Sequence, residues 1–140
     1  MACEFCDSTG GMVLWQNELC RVVAVDDPGY PGFCRVILNR HEREMTDLSL
    51  TERYRVMAVV FAVESHLRLE MQPDKMNLAS LGNMTPHLHW HVIPRYRDDR
   101  HFPGPVWAAP RHEAPAPVER VRRAGNLPAS LPVALGALAG

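Results

Sequence analysis

Three histidines recur at every second position in His87-Leu88-His89-Trp90-His91-Val92-Ile93-Pro94-Arg95. That spacing is the period of a β-strand, so the three imidazoles share one face while Leu88, Trp90 and Val92 point to the other and anchor a core. A row of imidazoles on a rigid backbone suits metal ligation, nucleophilic attack or proton transfer near neutral pH. Geometry limits the first. The outer two Cα atoms of such a row lie ~13 Å apart, too far for three perpendicular side chains to meet one zinc at ~2.0–2.1 Å. Two neighbours could share a metal; at least one ring is left for other work.

Two other groups of residues could do chemistry. Cys3 and Cys6 form a C-x-x-C near the N-terminus, a weak motif alone, whose redox use normally requires a preceding strand and a following helix. Cys20 and Cys34 lie in apolar, strand-like runs and read as buried thiols. The four cysteines do not read as a disulfide framework in a chain without a visible leader.

The elements that must hold these residues follow from pattern. Met12 to Gln16, Leu19 to Val25, Phe33 to Leu38 and Lys75 to Leu81 read as strands, with the histidine run as the fifth. Cys34, Val36 and Leu38 share one face of the third. Asp26-Asp27-Pro28-Gly29-Tyr30-Pro31-Gly32 is a loop by composition. Ser49-Leu50-Thr51-Glu52 fits a capping box that opens one long helix to about Met71, with Val56, Val60, Val63 and Leu67 as its core stripe, widened by Met57. His66 falls off that stripe and reads as solvated. Pro73-Asp74 stops the helix. Short connections favour an antiparallel meander.

Past Tyr96 the composition changes. Phe102 to Trp107 carries two large aromatics and is expected to dock. Residues 110 to 117 read as a loose linker, with short helices from Val118 to Ala124 and from Ser130 onward. The expected fold is α+β: a five-stranded antiparallel meander with one long helix packed on the sheet, over residues 1–109, followed by an irregular Pro/Ala-rich extension over 110–140.

Length and charge exclude several classes. At 140 residues the chain suits one domain with a substantial core. A net charge of −1 argues against a broad nucleic-acid footprint, and no apolar run approaches the ~20 residues of a membrane span. A cytoplasmic protein is expected.

The run from His87 to Ile93 resembles the signature of the histidine triad (HIT) superfamily, His-φ-His-φ-His-φ-φ with φ apolar, and Pro94-Arg95 commonly trails it there. The likeness extends through Asn77, Asn83, the long helix and the Pro31-Gly32 turn ahead of His41, covering roughly residues 3 to 109. It is a likeness to small bacterial HIT-domain proteins of the diadenosine polyphosphate hydrolase type. The resemblance implies a nucleotidyl hydrolase or transferase acting at the α-phosphate of dinucleoside polyphosphates or related conjugates. By motif position His89 is the nucleophile and carries the nucleotidyl intermediate, with His91 and His87 beside it in the catalytic row. Substrate contacts are implied for Asn77, Asn83, Thr85 and, of the two adjacent acids, Asp26. Met84 stands where relatives carry Ser or Thr, and Phe33 where many carry histidine.

Some triad proteins join an N-terminal C-x-x-C to a histidine after the third strand and to the first triad histidine. Cys3, Cys6, His41 and His87 would then hold a structural zinc, a closed Cys₂His₂ shell. No organic cofactor is expected. The family generally pairs as homodimers, so a homodimer is expected here too. The competing reading is a low-turnover nucleotide-binding sensor using the same pocket.

Overall fold

The computed structural model describes residues 2–139. Strands β1 (Met12–Gln16), β2 (Cys20–Ala24), β3 (Cys34–Leu38), β4 (Lys75–Ala79) and β5 (His89–Arg95) form one sheet in the order β1-β2-β3-β5-β4, antiparallel at every junction. The expected meander holds through β1-β2-β3 and again in the β4–β5 hairpin. Between them the long helix α2 (Leu50–Met71) carries the chain across the sheet, so β5, not β4, lies beside β3. This places the histidine strand in the interior of the sheet and leaves β4 as an edge.

Helix α2 begins as its sequence dictates. Ser49 Oγ accepts from the Glu52 amide at 3.2 Å, and Glu52 Oε1 accepts from the Ser49 amide at 3.0 Å. Val56, Val59, Val60, Val63, Leu67 and Met71 are buried against the sheet. Gln72 takes a left-handed conformation, φ 49°, and Pro73 follows to end the helix.

The two faces of the sheet differ. One carries Cys20, Val22, Cys34, Val36, Leu88 and Val92 into the main core beneath α2. Burial pushes the Cys20 and Cys34 thiols up to about 12, as suits inert, packed sulfurs. The other face carries the histidines with two smaller clusters, Phe5–Val23–Ile37 and Tyr30–Phe33–Ile93.

The C-terminal segment is more ordered than its proline content suggests. Helix α3 (Val118–Ala124) forms as expected, and α4 (Leu127–Ala134) begins three residues before the expected Ser130. Leu127, Leu131 and Leu135 enter the main core. This docking also corrects the reading of His66. Its side chain is only 10% exposed, and its Nε2 lies 2.8 Å from Ser130 Oγ, so α4 covers a position that α2 alone would leave in water.

Candidate active site and metal centre

The regular strand starts at His89, two residues later than the histidine spacing suggests. Ahead of it the chain bends: the His87 amide donates to Thr85 O at 2.8 Å and the Leu88 amide to Glu42 O at 2.8 Å. The bend separates His87 from its two neighbours in the row, and their hydrogen bonds assign the tautomers. His87 Nε2 lies 2.6 Å from Leu38 O, so that nitrogen carries the proton and Nδ1 keeps a lone pair. His89 is the reverse: Nδ1 lies 2.6 Å from His87 O and is the protonated nitrogen, leaving the Nε2 lone pair free. His91 Nδ1 is buried without a partner. A buried N–H without an acceptor is the costlier state, so in the neutral ring the proton sits on Nε2.

Burial holds all three rings below their ordinary 6.5, with His91 reaching about 4, where His89 and Arg35 add to the effect of burial. The backbone carbonyls of Leu38 and His87 oppose the shift at His87 and His89. Near neutral pH the row is therefore uncharged. One ring offers a lone pair and its neighbour, 4.9 Å away between centroids, offers an N–H.

His89 and His91 line a cleft of about 410 Å³ with Phe5, Arg35, Asn83, Thr85 and Trp107. The Phe5 ring meets His89 edge-on at 4.9 Å, Phe33 meets His91 at 5.8 Å and Trp107 meets it at 5.0 Å. Trp107 reaches the cleft because residues 96–104 are strapped to the sheet by a buried pair. Arg95 Nε and Nη2 donate to the Asp99 carboxylate at 2.8 and 3.1 Å, and Arg95 Nη2 also donates to Gly104 O at 2.7 Å. Burial alone would raise the Asp99 carboxyl; Arg95 and the amides of Tyr96, His101 and Phe102 outweigh it and hold the group well below the carboxylate range.

Of the expected substrate contacts, Asn83 and Thr85 are in this cleft, and Thr85 Oγ1 donates to Glu4 at 3.1 Å. Asn77 is on the triad face through its pairing with Ile93, one alternation beyond the Ala79–His91 pair, and its Oδ1 accepts from Arg95 at 2.7 Å. Asp26 is elsewhere. It lines a cavity of about 440 Å³ with Leu14, Cys34 and Leu127, on the sheet face away from the histidines. That cavity is slightly larger and more apolar, but it holds none of the imidazoles.

The four residues expected to hold a metal come together. Cys3 Sγ, Cys6 Sγ and one nitrogen each of His41 and His87 all lie within 4.8 Å of one another. His87 Nδ1 is 3.3 Å from Cys3 Sγ and 3.5 Å from Cys6 Sγ, and His41 Nδ1 is 3.5 Å from Cys6 Sγ. Bond lengths of ~2.3 Å to sulfur and ~2.0–2.1 Å to nitrogen in a tetrahedron place donors at about these separations, so the four residues fit a metal ion. The chain builds this cluster deliberately. Helix α1 (Glu4–Asp7) turns Cys6 back beside Cys3, and Arg21 on β2 clamps the turn by donating to Phe5 O at 2.7 Å and Thr9 O at 2.9 Å. Gly10, at φ 83°, lets the segment lie close over the sheet: a Cβ there would stand 2.7 Å from Ile37 Cδ1 and 2.9 Å from Phe5 Cδ1.

Sequence reasoning did not single out Arg35, Phe5 or Arg21. For Arg35 a signal existed. Placing Cys34, Val36 and Leu38 on one face of β3 puts Arg35 on the other, but only the β3–β5 pairing makes that the histidine face.

Comparison with known proteins agrees with this geometry. Residues 9–98 match the model of the HIT domain. No curated protein sequence matches the chain. Among solved structures, a histidine triad protein from Bradyrhizobium japonicum superposes with TM-score 0.71 at 25% identity, covering 94% of this chain and 92% of its own. A histidine triad protein from Marinobacter aquaeolei VT8 gives 0.68 at 30% identity over 94% and 90%. One from Sinorhizobium meliloti 1021 gives 0.71 at 26% over 91% and 93%. With the triad on an interior strand, two of its rings facing one cleft, and a domain match spanning the sheet and α2, the chain belongs to the histidine triad family.

Proposed function

We propose that this protein is a nucleotidyl hydrolase or transferase that cleaves at the α-phosphate of dinucleoside polyphosphates or related nucleotide conjugates, with His89 as nucleophile. The observation that carries this reading is the tautomer of His89: its Nδ1 proton is given to His87 O at 2.6 Å, which leaves the Nε2 lone pair unshared. Attack of Nε2 on phosphorus forms an N–P bond and breaks the bond from phosphorus to the leaving oxygen or nitrogen. His91 Nε2–H donates a hydrogen bond to the departing group and stabilises the charge that develops on it; the group leaves as the phosphate anion or takes its proton from water. Water, or another acceptor, then displaces His89 and releases the nucleotide. Asn83 and Thr85 are assigned to the phosphate, with Asn77 positioning through Arg95. Asp26, expected at the ribose hydroxyls, lies outside this cleft and is given no contact with the phosphates.

The metal is proposed as one structural zinc held by Cys3, Cys6, His41 and His87. Four protein donors leave no open coordination position, so such an ion supplies rigidity and no Lewis-acid step. His87 then supports His89 through its carbonyl and takes no direct part in attack. The assembly is proposed to be a homodimer. The open edge of β4 and the exposed Leu50, Tyr54, Phe61 and Leu69 of α2 leave pairing surface available.

The experiment is a panel of diadenosine polyphosphates, nucleoside phosphoramidates and nucleotide sugars assayed with wild type and His89→Asn. Turnover by wild type, lost at least 10³-fold in the variant while nucleotide binding survives, is the expected result. Wild type that binds nucleotides without turning over any of the panel makes the protein a sensor instead.

A further inference from the structure

The site contains one cation for which the triad chemistry has no assigned use. Arg35 is the direct cross-strand partner of His91, and it lines the cleft with His89, His91 and Trp107. Its guanidinium carbon stands 5.8 Å from the Phe5 ring centre and 5.9 Å from that of Phe33, so aromatic surfaces bracket it. Nε is buried with no hydrogen-bond partner. Among the described residues no carboxylate lies within ion-pair distance of it. The acid that does act on it through space, Glu4, has a carboxylate that accepts from Thr85 Oγ1 at 3.1 Å.

The two buried arginines among the described residues are satisfied. Arg95 holds Asp99, Asn77 and Gly104, and Arg21 holds backbone carbonyls and Asn39. Arg35 is partly buried: its Nε is cut off from water and unpaired, and that leaves the cation without a partner where it enters the cleft. Its fork of donors matches the oxygens of a phosphate.

We propose that Arg35 is the phosphate-recognition residue of the cleft, its guanidinium donating to the anionic oxygens of the nucleotide's phosphoryl group beside His91. This rests on the nucleotide reading of the site and sharpens it: the cleft selects phosphorylated over unphosphorylated nucleosides through a cation that the triad itself lacks. With Arg35 in place, negative charge on the group under attack is balanced while the neighbouring imidazoles remain neutral.

The test measures binding by calorimetry in the His89→Asn background, where no turnover intervenes. The probes are adenosine and adenosine 5′-monophosphate, with guanosine and its 5′-monophosphate as a second pair. We expect the monophosphate of at least one pair to bind more tightly than its nucleoside. Arg35→Gln should reduce that advantage by about 10–100-fold, the range for a hydrogen bond to a charged group, while nucleoside affinity changes less than twofold. Arg35→Met, which keeps the aliphatic stem between the two rings, should do the same, and Arg35→Lys should restore part of the advantage. If both neutral variants keep the full monophosphate advantage, or lose nucleoside and monophosphate alike, the assignment of Arg35 is overturned and the nucleotide reading stands. If the His89→Asn protein binds neither member of either pair, the nucleotide reading falls, and the assignment with it.

Discussion

At the scale of single residues, the account depends on where three protons sit. His89 is oriented by a backbone carbonyl and not by a carboxylate, so its basicity is modest and burial lowers it further. A neutral ring with its Nε2 lone pair free follows. His91 titrates far from its ordinary value because it is enclosed, next to His89 and to the Arg35 cation. Its folded value, about 4, lies below the 6.5 of the open chain, so between these the unfolded state binds more protons. The stabilisation is complete above about pH 6.5 and is lost as pH falls toward 4. Urea midpoints measured from pH 7.5 to 4.5 should therefore fall more steeply for wild type than for His91→Phe, with the difference concentrated below pH 6.5. Parallel curves would show that His91 is not enclosed as described.

At the scale of elements, β5 and the N-terminal turn explain why the row of imidazoles divides its labour. The spacing of the histidines made the strand and its two faces legible, and it excluded a shared metal for all three rings. It could not show the bend at His87, because that depends on Leu88 hydrogen-bonding to Glu42 and not on any local propensity. The bend turns His87 Nδ1 toward Cys3 and Cys6. A metal there would tie α1, the His41 turn and the start of β5 into one unit. Purified protein should carry one zinc per chain. Cys6→Ser should lower that content and the melting temperature together, and chelation of wild type should act in the same direction. An ion held a thousandfold above its dissociation constant is worth about 4 kcal/mol of folding free energy. Zinc well below one per chain, with a melting temperature indifferent to chelator, would remove the metal from the account.

At the scale of the whole molecule, the sheet separates packing from chemistry. One face joins α2 and the C-terminal helices in the main core; the other holds the triad beneath α1 and the strap at 96–107. Local pattern was enough for the first face, since the capping box at Ser49, the valines of α2 and the alternation in β3 each point to it. The rest lies in contacts between segments distant in sequence. Leu131 and Ser130 cover the sheet and His66 only once α4 docks, and Trp107 reaches the cleft only once Asp99 gathers Arg95 and the amides of Tyr96, His101 and Phe102. Arg35 belongs to the same class: a strand residue of ordinary appearance until β5 lies beside it. What unites the two faces is a frame that holds one imidazole nitrogen open to the cleft, where the proposed reaction puts phosphorus. The most direct measurement is mass spectrometry of protein quenched in alkali during turnover of a diadenosine polyphosphate, with peptide mapping of any adduct. The account predicts a nucleotidyl mass on His89, absent from His89→Asn. Product formed at full rate with no adduct on that residue at any quench time would contradict it.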